Sequence, residues 1–203
     1  FNGEPMVDVA DRSAEIATFL AVTGFQDCHR TPMAADASSR RYERLHLPSG
    51  ETIVLMDAPT SSGESIVPFM EIANHLRAIG LSAPEVLASD VERSLLLIED
   101  FGDVVFAKLI AADPTQEDPL YLQAIEVLLH LRRSAPPSLQ HADSDWMSDM
   151  LDPVFDWYGA ALSDKEEVKS HFRRLARSLE ATEPVLMLRD YHVENLMLLD
   201  RRS

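Results

Sequence analysis

Asp190 and Asn195 stand five residues apart in the polar stretch Arg189-Asp190-Tyr191-His192-Val193-Glu194-Asn195. Short apolar runs at 185–188 and 196–199 flank it and read as a small late hairpin. A carboxylate can take the proton of a hydroxyl nucleophile, and an amide oxygen is a hard donor that suits Mg²⁺. Phosphoryl transfer calls for both, because its catalysis is positioning and charge neutralisation. The spacing is common, however, and by itself it fits a solvated turn as readily. His192, between the two, is expected to stiffen the loop by a hydrogen bond rather than to act as an acid or base.

The elements that must position this loop follow from periodicity. Residues 14–23 read as a helix with Ile16, Phe19 and Leu20 on one face and Gly24 as its stop. Residues 42–47 alternate, Pro48-Ser49-Gly50 turns the chain, and 52–56 is a solid apolar strand. A helix over 64–79 carries Phe69, Ile72, Ala73, Leu76 and Ile79 at helical spacing, and Gly80 ends it. Strands follow at 85–88 and 94–98. After Gly102 the β pattern stops, and helices are expected over 104–111, 119–133, 145–162 and 163–181, the last with Ser163 and Glu166 at capping-box spacing. Strands followed by helices make the fold class α+β.

Composition narrows the function. The 203 residues carry a formal charge of -16, which argues against nucleic acid and against anionic lipid. No apolar run approaches the ~20 residues that span a bilayer. A single cysteine, Cys28, rules out an internal disulfide, fits a buried inert thiol, and makes the cytoplasm the simplest location. The scattered histidines suggest no zinc site.

Leu188-Arg189-Asp190-Tyr191-His192-Val193-Glu194-Asn195-Leu196-Met197 resembles the catalytic loop of protein-kinase-like small-molecule kinases. More closely it is similar to the aminoglycoside phosphotransferase family, in the bacterial branch that phosphorylates the anomeric hydroxyl of N-acetylmuramate and N-acetylglucosamine. Further stretches resemble that branch in the same order. Ala35-Asp36-Ala37-Ser38-Ser39-Arg40-Arg41-Tyr42 resembles its nucleotide-binding loop, and Val54-Leu55-Met56-Asp57-Ala58-Pro59 its third strand. Pro68-Phe69 to Leu81-Ser82-Ala83-Pro84 resembles its N-lobe helix and exit, and Leu96-Leu97-Ile98-Glu99-Asp100-Phe101-Gly102-Asp103 its hinge.

The resemblance implies a two-lobed kinase-like fold: a β-rich nucleotide-binding lobe over 1–98, a hinge at 99–102, and a helical lobe with the catalytic loop over 103–203. It implies ATP and Mg²⁺ as cofactors and a small-molecule hydroxyl, on a sugar, amino sugar or aminoglycoside, as acceptor. Asp190 would orient and deprotonate that hydroxyl, and Asn195 would bind the metal. Glu99 and Phe101 would offer main-chain groups to adenine, and Ser38 and Ser39 would cover the phosphates.

Two departures accompany it. The lysines are Lys108, Lys165 and Lys169, so the third strand has none, and Arg40 or Arg41 is the candidate replacement. Glu71, without a lysine to pair, reads as a solvated helix residue. The family's second, carboxylate metal ligand does not follow Asn195 within the sequence, and Asp200 reads as a turn residue. The chain is therefore expected to be truncated at its C-terminus, and as 203 residues to bind ATP weakly, gain little from Mg²⁺ and transfer no phosphate. A nucleotide-binding pseudokinase is the alternative, and a purely structural α+β domain a further one. Trp146 and Trp157, in a helical pattern with Phe155, are expected in the core or along a groove wall, with substrate stacking as the functional option.

Overall fold

The runs 53–56 and 95–98 are apolar at successive positions because they are covered on both faces. The computed structural model describes residues 9–33, 40–59, 65–158, 164–180 and 183–199. Its first elements are α1 (Val9–Thr23), β1 (His29–Pro32), β2 (Arg41–His46) and β3 (Thr52–Asp57). Then come α2 (Val67–Ala78), β4 (Val86–Asp90) and β5 (Leu95–Glu99). The strands form an antiparallel five-stranded sheet in the order β1-β2-β3-β5-β4.

Side-chain alternation sorts this sheet into two cores. On one face Ile16, Phe19 and Leu20 of α1 pack on Leu45, Ile53, Leu55, Leu95 and Leu97, and half-buried Cys28 joins them. On the other, Ile66, Phe69 and Met70 pack on Val54, Met56, Leu96 and Ile98. α1 begins earlier than the apolar spacing suggests because Arg12 is itself buried: its Nε donates to Asp57 Oδ1 of β3 at 2.9 Å. α2 starts with Pro68 in its first turn, where a missing N–H costs nothing, and ends as Gly80 turns to φ +83. The expected start at Glu64 lies outside the described residues. β1 escaped sequence reading: His29-Arg30-Thr31-Pro32 has no apolar alternation, and its pairing with β2 is an edge pairing that needs none.

The later elements are α3 (Phe106–Ala112), α4 (Glu117–Arg133), α5 (Ser144–Asp149), α6 (Asp152–Tyr158) and α7 (Lys165–Ala176). The single helix expected over 145–162 is two short ones. Pro153 sits in the first turn of α6, where proline is tolerated, and would disrupt a continuous interior. The Asp143 carboxylate caps α5 by accepting from the Trp146 N–H at 2.8 Å. Ser163 lies outside the described residues, and α7 has Asp164 at its N-cap with no side-chain cap bond. Buried Lys169 of α7 ties α5 to α6 through Asp149 (2.8 Å) and Asp152 (2.9 Å).

The late hairpin is a correction. Residues 185–188 and 196–199 form no strand pair among the described residues. Met197 instead bridges Val105, and the Leu198 N–H donates to the Val104 carbonyl at 2.9 Å. The backbone partner of 196–198 is the segment just beyond 99–102, which satisfies the same main-chain groups.

The chain falls into two compact units, Phe1–Ala124 with Asp190–Ser203, and Ile125–Arg189. Backbone bonds from 104–107 to 193–198 explain why the polar loop groups with the sheet-bearing unit.

Candidate active site

Alternation builds the loop around Asp190. Tyr191, Val193 and Leu196 turn inward onto Phe106, Leu120 and Ala124, and Asp190, His192 and Glu194 are left exposed. Tyr191 Oη donates to the Ala124 carbonyl at 2.9 Å, and burial pushes its pKa up. The main chain is pinned as well: Ala107 N–H donates to the Val193 carbonyl at 3.0 Å and Phe106 N–H to that of Leu196 at 2.8 Å.

The exposed side chains converge. Asn195 Nδ2 donates to Asp190 Oδ2 at 2.8 Å and to the Asp190 carbonyl at 3.0 Å. His192 Nε2 lies 3.1 Å from Asp190 Oδ1, while its Nδ1 accepts from the Glu194 N–H at 3.4 Å. This pair of contacts assigns the ring proton to Nε2. With that proton in place, the 3.2 Å approach of Asn195 Nδ2 to Nε2 joins two donors and is proximity, not a bond. Both carboxylate oxygens of Asp190 are therefore held, as the expected stiffening role of His192 requires. Arg189, just ahead, has φ +64, a left-handed conformation unusual for a side chain larger than glycine, and its guanidinium stacks 5.8 Å from the Trp146 ring centre.

A metal's fit rests on one group. With Nδ2 committed to Asp190, Asn195 Oδ1 enters no hydrogen bond among the described residues. It is a hard oxygen donor for Mg²⁺, which keeps most of its other ligands as water and phosphate oxygens. No cluster of three or more acidic, histidine or cysteine side chains able to hold a metal occurs among the described residues. Asp200 lies outside them.

The other expected site residues divide. Ser38 and Ser39 lie outside the described residues. Arg41 is exposed on β2 opposite Asp57, and Arg40 is half-buried just before it. Asp57 is the charge that β3 carries, and Arg12 neutralises it. Glu71 is exposed on α2, as a solvated residue should be. The Glu99 N–H donates to the Glu85 carbonyl at 2.9 Å, and its carboxylate accepts from the Glu85 N–H at 3.2 Å and faces Arg77 at 3.4 Å. Phe101 is half-buried, and its main-chain groups enter no hydrogen bond among the described residues. Trp157 is 83% exposed, so its expected core place is a correction: two residues beyond buried Phe155 in α6, it falls on the opposite side of the helix.

Sequence reading missed Arg44. From β2 its Nε donates to Asp100 Oδ2 at 2.6 Å and its Nη1 to Asp103 Oδ2 at 2.9 Å. The visible signal is a basic residue inside a half-buried strand, but the partners lie 56 and 59 residues away.

The model of the phosphotransferase enzyme family matches residues 29–203. The chain belongs to that family. It therefore has the family's kinase-like α+β fold. It is similar to an N-acetylmuramate/N-acetylglucosamine kinase of Caulobacter vibrioides, 32% identical over 96% of this chain and 64% of that protein. It is also similar to proteins of the same name from Pseudomonas putida (32% identical; 82% of this chain, 50% of that one) and Pseudomonas aeruginosa (31%; 82% and 51%). The family member thus spans between half and two thirds of the length of these relatives. Among its described residues no helix is long and apolar enough to cross a membrane.

Proposed function

We propose that this chain carries the nucleotide site and catalytic loop of an ATP-dependent kinase that phosphorylates a hydroxyl of an amino sugar. The observation that carries the reading is the Asp190 carboxylate, exposed yet held on both oxygens by Asn195 and His192. Such a group is oriented before the acceptor arrives, and preorganisation is what phosphoryl transfer draws on.

Asp190 takes the proton of the acceptor hydroxyl as its oxygen forms the new bond to the γ-phosphorus, and ADP leaves with the electrons of the broken P–O bond. Residues 99–102 form the hinge between a nucleotide lobe (1–98) and an acceptor lobe (103–203). There Phe101 offers its free main-chain groups to the adenine edge. The Glu99 amide is already engaged, which leaves that residue's carbonyl as its possible contribution. Ser38, Ser39 and Arg41 serve the phosphates, the arginine in place of a third-strand lysine. Bound Mg²⁺ supplies charge neutralisation across the phosphates, and Asn195 Oδ1 is the ligand this chain offers. An ATP-dependent enzyme of this kind fits the cytoplasm, where ATP is at hand. The kinase names of the relatives weigh against a pseudokinase.

The test is ADP formation by the full-length gene product with ATP, Mg²⁺ and N-acetylglucosamine or N-acetylmuramate, followed by phosphorus NMR of the product. Sugar phosphate is the expected result. Nucleotide binding without product from any amino sugar would overturn the reading.

A further inference from the structure

The four residues from Asp100 to Asp103 are bound to the sheet chiefly through Arg44 of β2, and Thr52 of β3 adds a side-chain bond to Asp100. The Arg44 guanidinium engages Asp100 through Nε (2.6 Å) and Nη2 (3.2 Å), and Asp103 through Nη1 (2.9 Å) and Nη2 (3.0 Å). Nη2 also reaches the Gly102 carbonyl at 3.4 Å. Gly102, at φ +79, returns its N–H to Asp100 Oδ1 at 2.8 Å. The Asp100 side chain is 2% exposed and that of Asp103 64%.

We propose that Arg44 is a positioning residue for the nucleotide base: its double fork sets the 100–103 backbone so that Phe101 presents unpaired main-chain groups to adenine. The inference rests on the reading of 99–102 as an adenine-binding hinge. Its physical basis is that stability alone does not call for this arrangement. A desolvated ion pair is often no more stabilising than apolar packing, whereas a planar fork on two carboxylates imposes one geometry. Of the two residues between the carboxylates, Gly102 has both main-chain groups engaged, whereas those of Phe101 enter no hydrogen bond among the described residues. The rigidity extends further. Beyond Asp103, residues 104–107 hydrogen-bond the 193–198 segment that carries Asn195. Arg44 thus anchors one end of a continuous strap whose other end holds the catalytic loop.

The experiment compares the wild type with Arg44→Lys, Arg44→Gln and Asp103→Asn. Affinities for ATP and GTP carrying a fluorophore on the ribose read the base directly, and steady-state kinetics separate KM from kcat. Circular dichroism selects the variants that fold. Lysine keeps the charge but not the fork, so Arg44→Lys should lose about tenfold in ATP affinity, the scale of one charge-assisted hydrogen bond. GTP affinity should fall less, so that base preference shrinks and KM for ATP rises more than kcat falls. Asp103→Asn, at an exposed position, should move preference in the same direction to a smaller extent. Folded Arg44→Lys and Asp103→Asn proteins with wild-type base preference and KM would overturn the role of Arg44 while leaving the hinge reading intact. A wild type that binds neither nucleotide would overturn the hinge reading itself.

Discussion

Asn195 turns its amide nitrogen to Asp190, 2.8 Å from the carboxylate and 3.0 Å from the carbonyl of the same residue. One side chain thereby closes the loop from 190 to 195, and its own oxygen enters no hydrogen bond among the described residues. Loop closure and the proposed metal binding are separable by what is measured on the variants.

Asp190→Asn keeps the size of the side chain and removes the base. In the full-length protein, turnover should fall by ~10²–10⁴ while ATP affinity stays near wild type. Single-turnover kinetics with a parallel nucleotide titration check both halves, and near-normal turnover would remove Asp190 from its role.

Asn195→Ala removes the oxygen and the tie together. The Mg²⁺ concentration for half-maximal activity should rise by about tenfold or more, as for other lost metal-site contacts. A magnesium titration of initial rates reads this. An unchanged midpoint with lowered kcat would assign Asn195 to loop closure alone.

Arg12 and Asp57 are 7% and 4% exposed and pair α1 with β3. Arg12→Ala would leave a buried carboxylate without its cation and should cost about 3–5 kcal/mol in urea unfolding. The double variant Arg12→Met with Asp57→Leu should recover most of that loss, because the apolar pair needs no desolvation. Equal losses in the two proteins would contradict the account.

The clamp of Arg44 on Asp100 and Asp103 makes a prediction for acid. Burial pushes the Asp100 pKa up, but Arg44, Thr52 and the Gly102 amide outweigh it and hold the group below its usual value. Hydrogen bonds from Arg44 hold Asp103 below its usual value as well. Carboxyls with depressed folded pKa values stabilise fully above the unfolded value of about 3.9, and that stability is lost as pH falls below it toward the folded values. Thermal stability should therefore drop below about pH 4, and the drop should be shallower in Arg44→Gln. Parallel acid profiles of wild type and variant would refute the assignment of this term to Arg44.

The α+β class and most of the element order were legible because each depends on local pattern, whereas the roles expected of Asp190 and Asn195 came from the resemblance of their stretch to a known loop. Leu45 in its alternating strand, the double-sided runs at 53–56 and 95–98, and Gly80 as a helix stop are decided within a few residues. The five-residue spacing of Asp190 and Asn195 was visible too, but the bond between their side chains was not foreseen. Tertiary structure decided what local pattern cannot express. His29–Pro32 is a strand because β2 offers it an edge. Residues 196–198 pair with 104–106 rather than with 185–188, because that backbone satisfies their main-chain groups. Arg44 meets Asp100 and Asp103 across more than fifty residues, and Arg12 meets Asp57 across 45. Charge carries no periodicity that marks a distant partner, so these contacts exist in the sequence as composition and become a mechanism when the sheet brings them together.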